Sequence, residues 1–161
     1  MSSTGARDLW TIDHDDGSQY FNDTGNLMVW GGCKNYMGNH KSCAHNVIIH
    51  PGTPSRSTGG RRCQTDDNRV FQNQYHDNNH CFTADGEFYS MGIDKCDASD
   101  IDPHVFQTFN NTLYSPGGTF ANGPCASFQA WQQAGQDRMS AVKVLPPPSQ
   151  IVAMGAAVLG M

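Results

Sequence analysis

The chain has 161 residues, including 17 glycines and 8 prolines, and its formal net charge is -5. This length suffices for one domain with a hydrophobic core or for a short run of stacked repeats. With only 10 lysines and arginines, the composition argues against a nucleic-acid partner, because nucleic-acid binding needs basic patches.

Short segments of β character, bounded by glycine, asparagine and proline, dominate the sequence. Few windows show the spacing of an amphipathic helix. The sequence therefore predicts an all-β fold. In chain order, the predicted strands are residues 10–12, 27–30, 47–49, 70–71, 88–91, 105–109, 113–114 and 142–145.

Two of these strands form an internal repeat. Asn26 opens a short alternating apolar run that ends at a glycine, and Asn46 opens a similar run 20 residues later. A repeat of this length is typical of a solenoid, in which a single coil cannot bury its apolar face alone. Looser copies begin at Asn79 and Asn111.

The repeated asparagines have a structural interpretation. In a parallel stack, an asparagine at the same corner of each coil can donate to one neighbouring coil and accept from the other. Such a ladder satisfies polar groups in the turns. We therefore interpret Asn26, Asn46 and Asn111 as rungs of a ladder rather than as ligands.

Two segments without apolar alternation, residues 51–68 and 93–103, are predicted to be loop insertions. Segment 141–161 is predicted to be a C-terminal end strand or cap, and its apolar run is shorter than the ~20 residues that span a bilayer. The N-terminus lacks the features of a signal peptide. We therefore expect residues 1–161 to form a single domain that belongs to a longer solenoid.

Six cysteines, an even number without C-x-x-C spacing, favour disulfides over zinc sites. The sequons that begin at Asn22 and Asn110 agree with a secreted glycoprotein. The sequence leaves about 15 pairings open. The cysteines are Cys33, Cys43, Cys63, Cys81, Cys96 and Cys125.

Several motifs carry a family resemblance. They are D-H-D-D-G-S at 13–18, G-C-K at 32–34, H-N-V-I-I at 45–49 and G-Q-D-R-M-S at 135–140. In this order they resemble right-handed parallel β-helix proteins of the pectin-lyase-like superfamily. The resemblance implies a right-handed parallel β-helix of few coils with disulfide-tied loops, of which the N-terminal coils are missing here. It also implies an extracellular protein that acts on polysaccharide as a hydrolase, lyase or epimerase, or a non-catalytic structural or carbohydrate-binding module.

The acidic segment is predicted to lie on an outward strand face. Alternation along a strand turns Ile12 to one side, and Asp13 and Asp15 to the other. The 20-residue step stacks this segment one coil away, roughly 4.8 Å, from residues 33–36. It lays Asp13 over Cys33, His14 over Lys34, Asp15 over Asn35 and Asp16 over Tyr36.

Three interpretations of this patch remain open. In a glycosidase, Asp13 and Asp15 would serve as general acid and as base or nucleophile, with Asp16 in reserve. In a lyase or epimerase, Lys34 or His14 would abstract a proton beside a carboxylate that Ca²⁺ or a base neutralises. In the third interpretation, residues 15–18 simply form a turn at the coil corner.

The substrate-binding candidates surround this patch: Trp30 as a sugar-stacking platform, with Asn35, Tyr36 and His40. No metal ligand set is assigned, because the histidine spacings fit zinc only on a helix. Ca²⁺ is the one possible cofactor, since D-x-D-D-G resembles a Ca²⁺ loop, although it lacks the downstream glutamate of an EF-hand. The expected partner is a glycan, without nucleic acid or membrane, and the expected state is a monomer.

Overall fold

The computed structural model describes residues 11–49, 62–66 and 74–161. The described part is mostly β, as predicted, and all strand pairings between its named strands are parallel. The strands are β1 (Ile12–His14), β2 (Asn22–Thr24), β3 (Leu27–Val29), β4 (Cys33–Asn35), β5 (Lys41–Ala44), β6 (Val47–Ile49), β7 (Gln64–Asp66), β8 (Gln74–Asp77), β9 (His80–Phe82), β10 (Tyr89–Met91), β11 (Phe106–Phe109), β12 (Thr112–Ser115) and β13 (Ala141–Val144).

These strands form three sheets. Sheet A has the order β1-β4-β7-β10, sheet B the order β2-β5-β8-β11, and sheet C the order β3-β6-β9-β12-β13. Each of the strands β1 to β9 pairs with the strand three places later in the chain, and β13 pairs with β12. The chain therefore passes once through each sheet before it returns to the first, one strand further along.

The predicted 20-residue step is confirmed in sheet C, where Leu27 pairs with Val47. In sheet A the predicted register is wrong by one residue: Asp13 lies beside Lys34, and His14 lies beside Asn35. Because sheet B again pairs Asn22 with Ser42, the first coil holds one more residue between sheets A and B than the second coil does. The extra residue falls in the turn that follows β1.

Alternation along sheet C separates two apolar layers. Met28, Ile48 and Leu113 point into the main core between the sheets and are buried. The residues that alternate with these along each strand point outward, and they include Val47, Phe82 and Tyr114. The rings of Phe82 and Tyr114 stack with their centroids 4.4 Å apart.

A helix covers this outer layer. Residues 148–158 form α2 (Pro148–Val158), which buries Ile151 against Phe82 and Tyr114. We expected an end strand or cap in segment 141–161, and the structure contains β13 followed by this helix. Pro148 at its first turn and the alanines of the segment favour a helix. No helix in the described ranges is long and apolar enough to cross a membrane.

The asparagine ladder is confirmed. The backbone N–H and side-chain amide of Asn26 both donate to Oδ1 of Asn46, at 2.9 and 3.0 Å. Asn46 donates in the same way to Asn79, and Asn79 to Asn111. Since Asn46 is fully buried, these bonds satisfy groups that water cannot reach.

The ladder ends on the motif at 135–140. Asn111 donates its side-chain amide to Oδ1 of Asp137 (3.1 Å) and its backbone N–H to Oγ of Ser140 (2.7 Å). Asp137 is fully buried and also accepts from Ser140 (2.6 Å) and from Nε1 of Trp131 (2.8 Å). Trp131 lies on α1 (Phe128–Gln133), a short helix that the sequence did not predict. A carboxylate suits this position because the last rung has only to accept.

All six cysteines are paired, which confirms the disulfide prediction and selects one of the open pairings. The bonds join Cys33 to Cys43, Cys63 to Cys81 and Cys96 to Cys125. The third bond ties the acidic loop that contains residues 93–103 to the segment before α1. Three disulfides indicate an oxidising environment. Most of the predicted loop 51–68 and the predicted strand 70–71 lie outside the described residues.

Candidate functional site

The candidate site is built around one lysine on β4. Nζ of Lys34 lies 3.0 Å from Oδ1 of Asp13 and 3.1 Å from Oδ1 of Asp15, both on the preceding coil. Asp13 and Asp15 project from the same face of the chain, as predicted, because they are two residues apart in extended backbone. Their side chains are 40% and 52% exposed, whereas that of Lys34 is 10% exposed. The ammonium thus bridges two accessible carboxylates.

Two opposing effects act on the pKa of Lys34. Burial lowers this pKa, but the hydrogen bonds and charges of Asp13 and Asp15 outweigh burial and raise the pKa above its ordinary value. Lys34 is therefore a cation at neutral pH.

Tyr36 and Asn35 follow Lys34 but differ in accessibility. The ammonium of Lys34 lies 5.6 Å from the ring centroid of Tyr36, within range of a cation–π interaction. Tyr36 is half-buried, whereas Asn35 is 2% exposed. Of these two predicted substrate-binding residues, Tyr36 belongs to the exposed cluster, and Asn35 lies beneath it.

His14 does not join the outward cluster. Its ring is buried on the other face of β1, where Nε2 lies 2.5 Å from Oδ2 of Asp23. It also stacks on Phe21, with centroids 4.3 Å apart. His14 was predicted to join the patch beside Lys34, but alternation along β1 turns it away from Asp13 and Asp15, and Asp13 rather than His14 lies beside Lys34.

Asp16 lies at a tight turn. The backbone N–H of Ser18 donates to the carbonyl of Asp15 (3.2 Å), and both central residues, Asp16 and Gly17, have positive φ angles of 50° and 80°. This geometry is that of a type I′ turn. Gly38 packs directly beneath it, so closely that a Cβ there would lie 1.9 Å from the carbonyl oxygen of Ser18. The turn therefore fixes the direction in which Asp15 leaves β1.

His40 forms part of an exposed aromatic pair. Its ring stacks on Tyr20, with centroids 5.0 Å apart and an interplanar angle of 19°. Both residues have positive φ angles, and Tyr20 is 75% exposed. Phe21 is next to Tyr20 and 43% exposed. The sequence analysis did not select Tyr20 or Phe21, although two adjacent aromatics after a D-G turn were a usable signal.

Trp30 is exposed, as the sequence analysis expected, but for a different reason. That analysis placed Trp30 on the outward face beside Met28, whereas Met28 is fully buried in the core. Trp30 follows the end of β3 and has a φ of 65°. The turn, and not strand alternation, brings its ring to the surface.

The described residues contain no group of three or more His, Cys, Asp or Glu side chains that could hold a metal ion. No protein family, curated protein or solved structure matches this chain. The candidate site therefore rests on its own geometry.

Proposed function

We propose that this protein is a secreted parallel β-helix that binds polysaccharide through the surface formed by Asp13, Asp15, Lys34, Tyr36 and the Tyr20–His40 pair. The β-helix interpretation is supported by the recurrence of every third strand in one parallel sheet and by the asparagine ladder. The three disulfides support an oxidising, extracellular location.

The observation that carries the proposal is the bridge of Lys34 between two accessible carboxylates, at 3.0 and 3.1 Å. The bridge holds both carboxylates in fixed positions, and each retains exposed oxygen that accepts hydrogen bonds from sugar hydroxyls. Beyond the type I′ turn, the exposed Tyr20–His40 stack offers a flat aromatic face, on which the apolar face of a sugar ring packs. Fixed polar groups beside an aromatic surface are suited to binding a carbohydrate.

The same contacts favour binding over acid/base catalysis. In a glycosidase the two carboxyl groups act on the scissile sugar bond, whereas Asp13 and Asp15 both bind the ammonium of Lys34, at 3.0 and 3.1 Å. A lyase base must accept a proton, whereas the pKa of Lys34 is raised above its ordinary value because these two carboxylates outweigh the lowering effect of burial. His14 is buried against Asp23. The proposal therefore takes the cluster as a binding surface.

A glycan array tests the proposal, with wild type compared with Asp15→Asn and Tyr20→Ala. We expect wild type to retain a defined set of glycans. Asp15→Asn should bind them about tenfold more weakly because one charge-assisted hydrogen bond is lost, and Tyr20→Ala should bind them more weakly because the aromatic face is lost. Asp16→Asn is the matched control, since Asp16 is exposed in the same turn and asparagine tolerates its positive φ. Equal binding by wild type and both variants would refute the proposed surface.

A turnover assay on the retained glycans separates binding from catalysis. We expect wild type to release no new reducing ends and no unsaturated sugars, with Ca²⁺ or with a chelator. Cleavage by wild type that Asp15→Asn abolishes would instead assign an acid/base role to the cluster.

A further inference from the structure

A second concave surface lies on the opposite layer of the fold, between α2 and the outer face of sheet C. It is a pocket of about 320 Å³ lined by His45, Val47, Asn78, His80, Met154, Ala157 and Val158. This volume falls within the range of small-molecule sites, at its lower end. The pocket involves none of the residues of the proposed glycan surface.

The pocket has one apolar wall and one polar wall. Met154, Ala157 and Val158 come from the last turns of α2, and Val47 comes from β6. The polar part of the lining consists of two imidazoles and the Asn78 amide, and His80 lies beside Val47 in sheet C. An apolar wall beside a few polar groups is the arrangement that orients an amphipathic ligand.

The polar wall is biased toward an anion. None of the described residues that line the pocket is acidic, and the charge of Lys143, on the edge strand β13 two strands away, acts on His80. Nδ1 of His80 is buried without a hydrogen-bond partner, which leaves Nε2 as the ring nitrogen that a ligand can reach. A neutral imidazole protonated at Nε2 donates from that atom.

We propose that this pocket binds a small amphipathic carboxylate, such as a medium-chain fatty acid, with its alkyl chain against Met154 and Val158 and its carboxylate facing His80. The alkyl chain replaces water on the apolar wall of α2. The carboxylate accepts from the imidazole, in a charge-assisted hydrogen bond. This site would make α2 a ligand-binding element as well as a cover for sheet C.

The test is an NMR titration of the ¹⁵N-labelled protein with octanoate, octan-1-ol and octylammonium, which share one alkyl chain and differ in their head groups. We expect octanoate to shift the amides of the pocket residues. Octan-1-ol should bind about tenfold more weakly, because it lacks the charge-assisted bond, and octylammonium should not bind. Equal affinity for octanoate and octan-1-ol, or shifts that map elsewhere, would overturn the proposal.

Two variants of one helix supply the control. Ala157 lines the pocket, whereas Ala153 is exposed on α2 outside it. Leucine is a good helix former, so neither substitution should unfold α2. Ala157→Leu should abolish octanoate binding by filling the pocket, and Ala153→Leu should leave it unchanged. The reverse pattern, or no effect of Ala157→Leu, would also refute the site.

Discussion

At the scale of single residues, the ladder shows how one side-chain type is repeated to solve one problem. Asn46 and Asn79 each accept two hydrogen bonds at Oδ1 from the preceding rung and donate two to the next. The last rung is Asp137, which accepts from Asn111. The polarity of the ladder therefore explains why a carboxylate occurs at its end.

The ladder predicts a large cost for removing an interior rung. Asn79→Ala deletes the acceptor of Asn46 and the donor to Asn111, and it leaves buried polar groups without partners. We expect the free energy of unfolding to fall by about 2–5 kcal/mol, since each unsatisfied buried group costs about 1–3 kcal/mol. Urea denaturation measures this change.

Asn78→Gly is the matched control for that measurement. Asn78 lies next to Asn79 in the same turn, is not a rung of the ladder and has a φ of 53°. Glycine adopts this backbone conformation without steric strain. We expect a change well below that of Asn79→Ala. Equal losses for the two variants would show that the corner backbone, and not the ladder, supplies the stability.

At the scale of elements, the sequence predicted the apolar strands well and the polar strands poorly. The predicted segments 27–30 and 47–49 overlap β3 and β6, since valine, isoleucine and leucine mark them. The strands β2 (Asn22–Thr24) and β4 (Cys33–Asn35) were not predicted. They are three residues long and polar, and they are extended because parallel partners on neighbouring coils bond to them.

The candidate site was also predicted only in part, because strand alternation can be read from the sequence but strand register cannot. The outward direction of Asp13 and Asp15 follows from strand alternation and is observed. The partner of Asp13 depends on the register, and one additional residue in a turn shifts the register by one position. The Tyr20–His40 stack joins turns of two coils, so no local pattern reports it.

The contact between α2 and sheet C predicts a pH effect that depends on His80. Burial, followed by the charge of Lys143, lowers the pKa of His80 below its ordinary value. The other groups that face His80 are the ring of Tyr114, with centroids 6.1 Å apart, and His45 and Asn78 across the pocket. The residues of α2 that line the pocket carry no charge.

Because the folded pKa of His80 lies below the unfolded value of about 6.5, the unfolded chain takes up a proton first as the pH falls. The stability contributed by neutral His80 is therefore complete above about pH 6.5 and is lost as the pH falls through the lowered folded pKa. We expect the Tm of wild type to drop more between pH 7.5 and pH 5 than that of His80→Gln. His104→Gln, at an exposed histidine, should behave like wild type, and a drop in His80→Gln as large as in wild type would contradict this assignment.

At the scale of the whole molecule, each passage of the chain through the three sheets pairs with the passages before and after it. In the proposed β-helix, stability would be approximately a sum of terms for each repeat and each interface between repeats. The three disulfides are distributed along the stack: Cys33–Cys43 lies near its beginning, Cys63–Cys81 lies in its middle and Cys96–Cys125 lies near its end. Each bond should therefore protect its own part of the chain.

Removing one disulfide at a time tests this distribution. The bond between Cys96 and Cys125 closes a loop with a sequence separation of 29, and its loss should cost about 3–4 kcal/mol from the entropy of the unfolded chain. With cysteines 96 and 125 replaced by alanine, we expect amide hydrogen exchange to accelerate between residues 93 and 125 and to stay slow in β3 and β6. The Cys33→Ala/Cys43→Ala variant should show the opposite pattern, with exchange accelerated in the first two coils. Uniform acceleration in both variants would mean that the stack unfolds as a single cooperative unit, in which a local bond stabilises every coil equally.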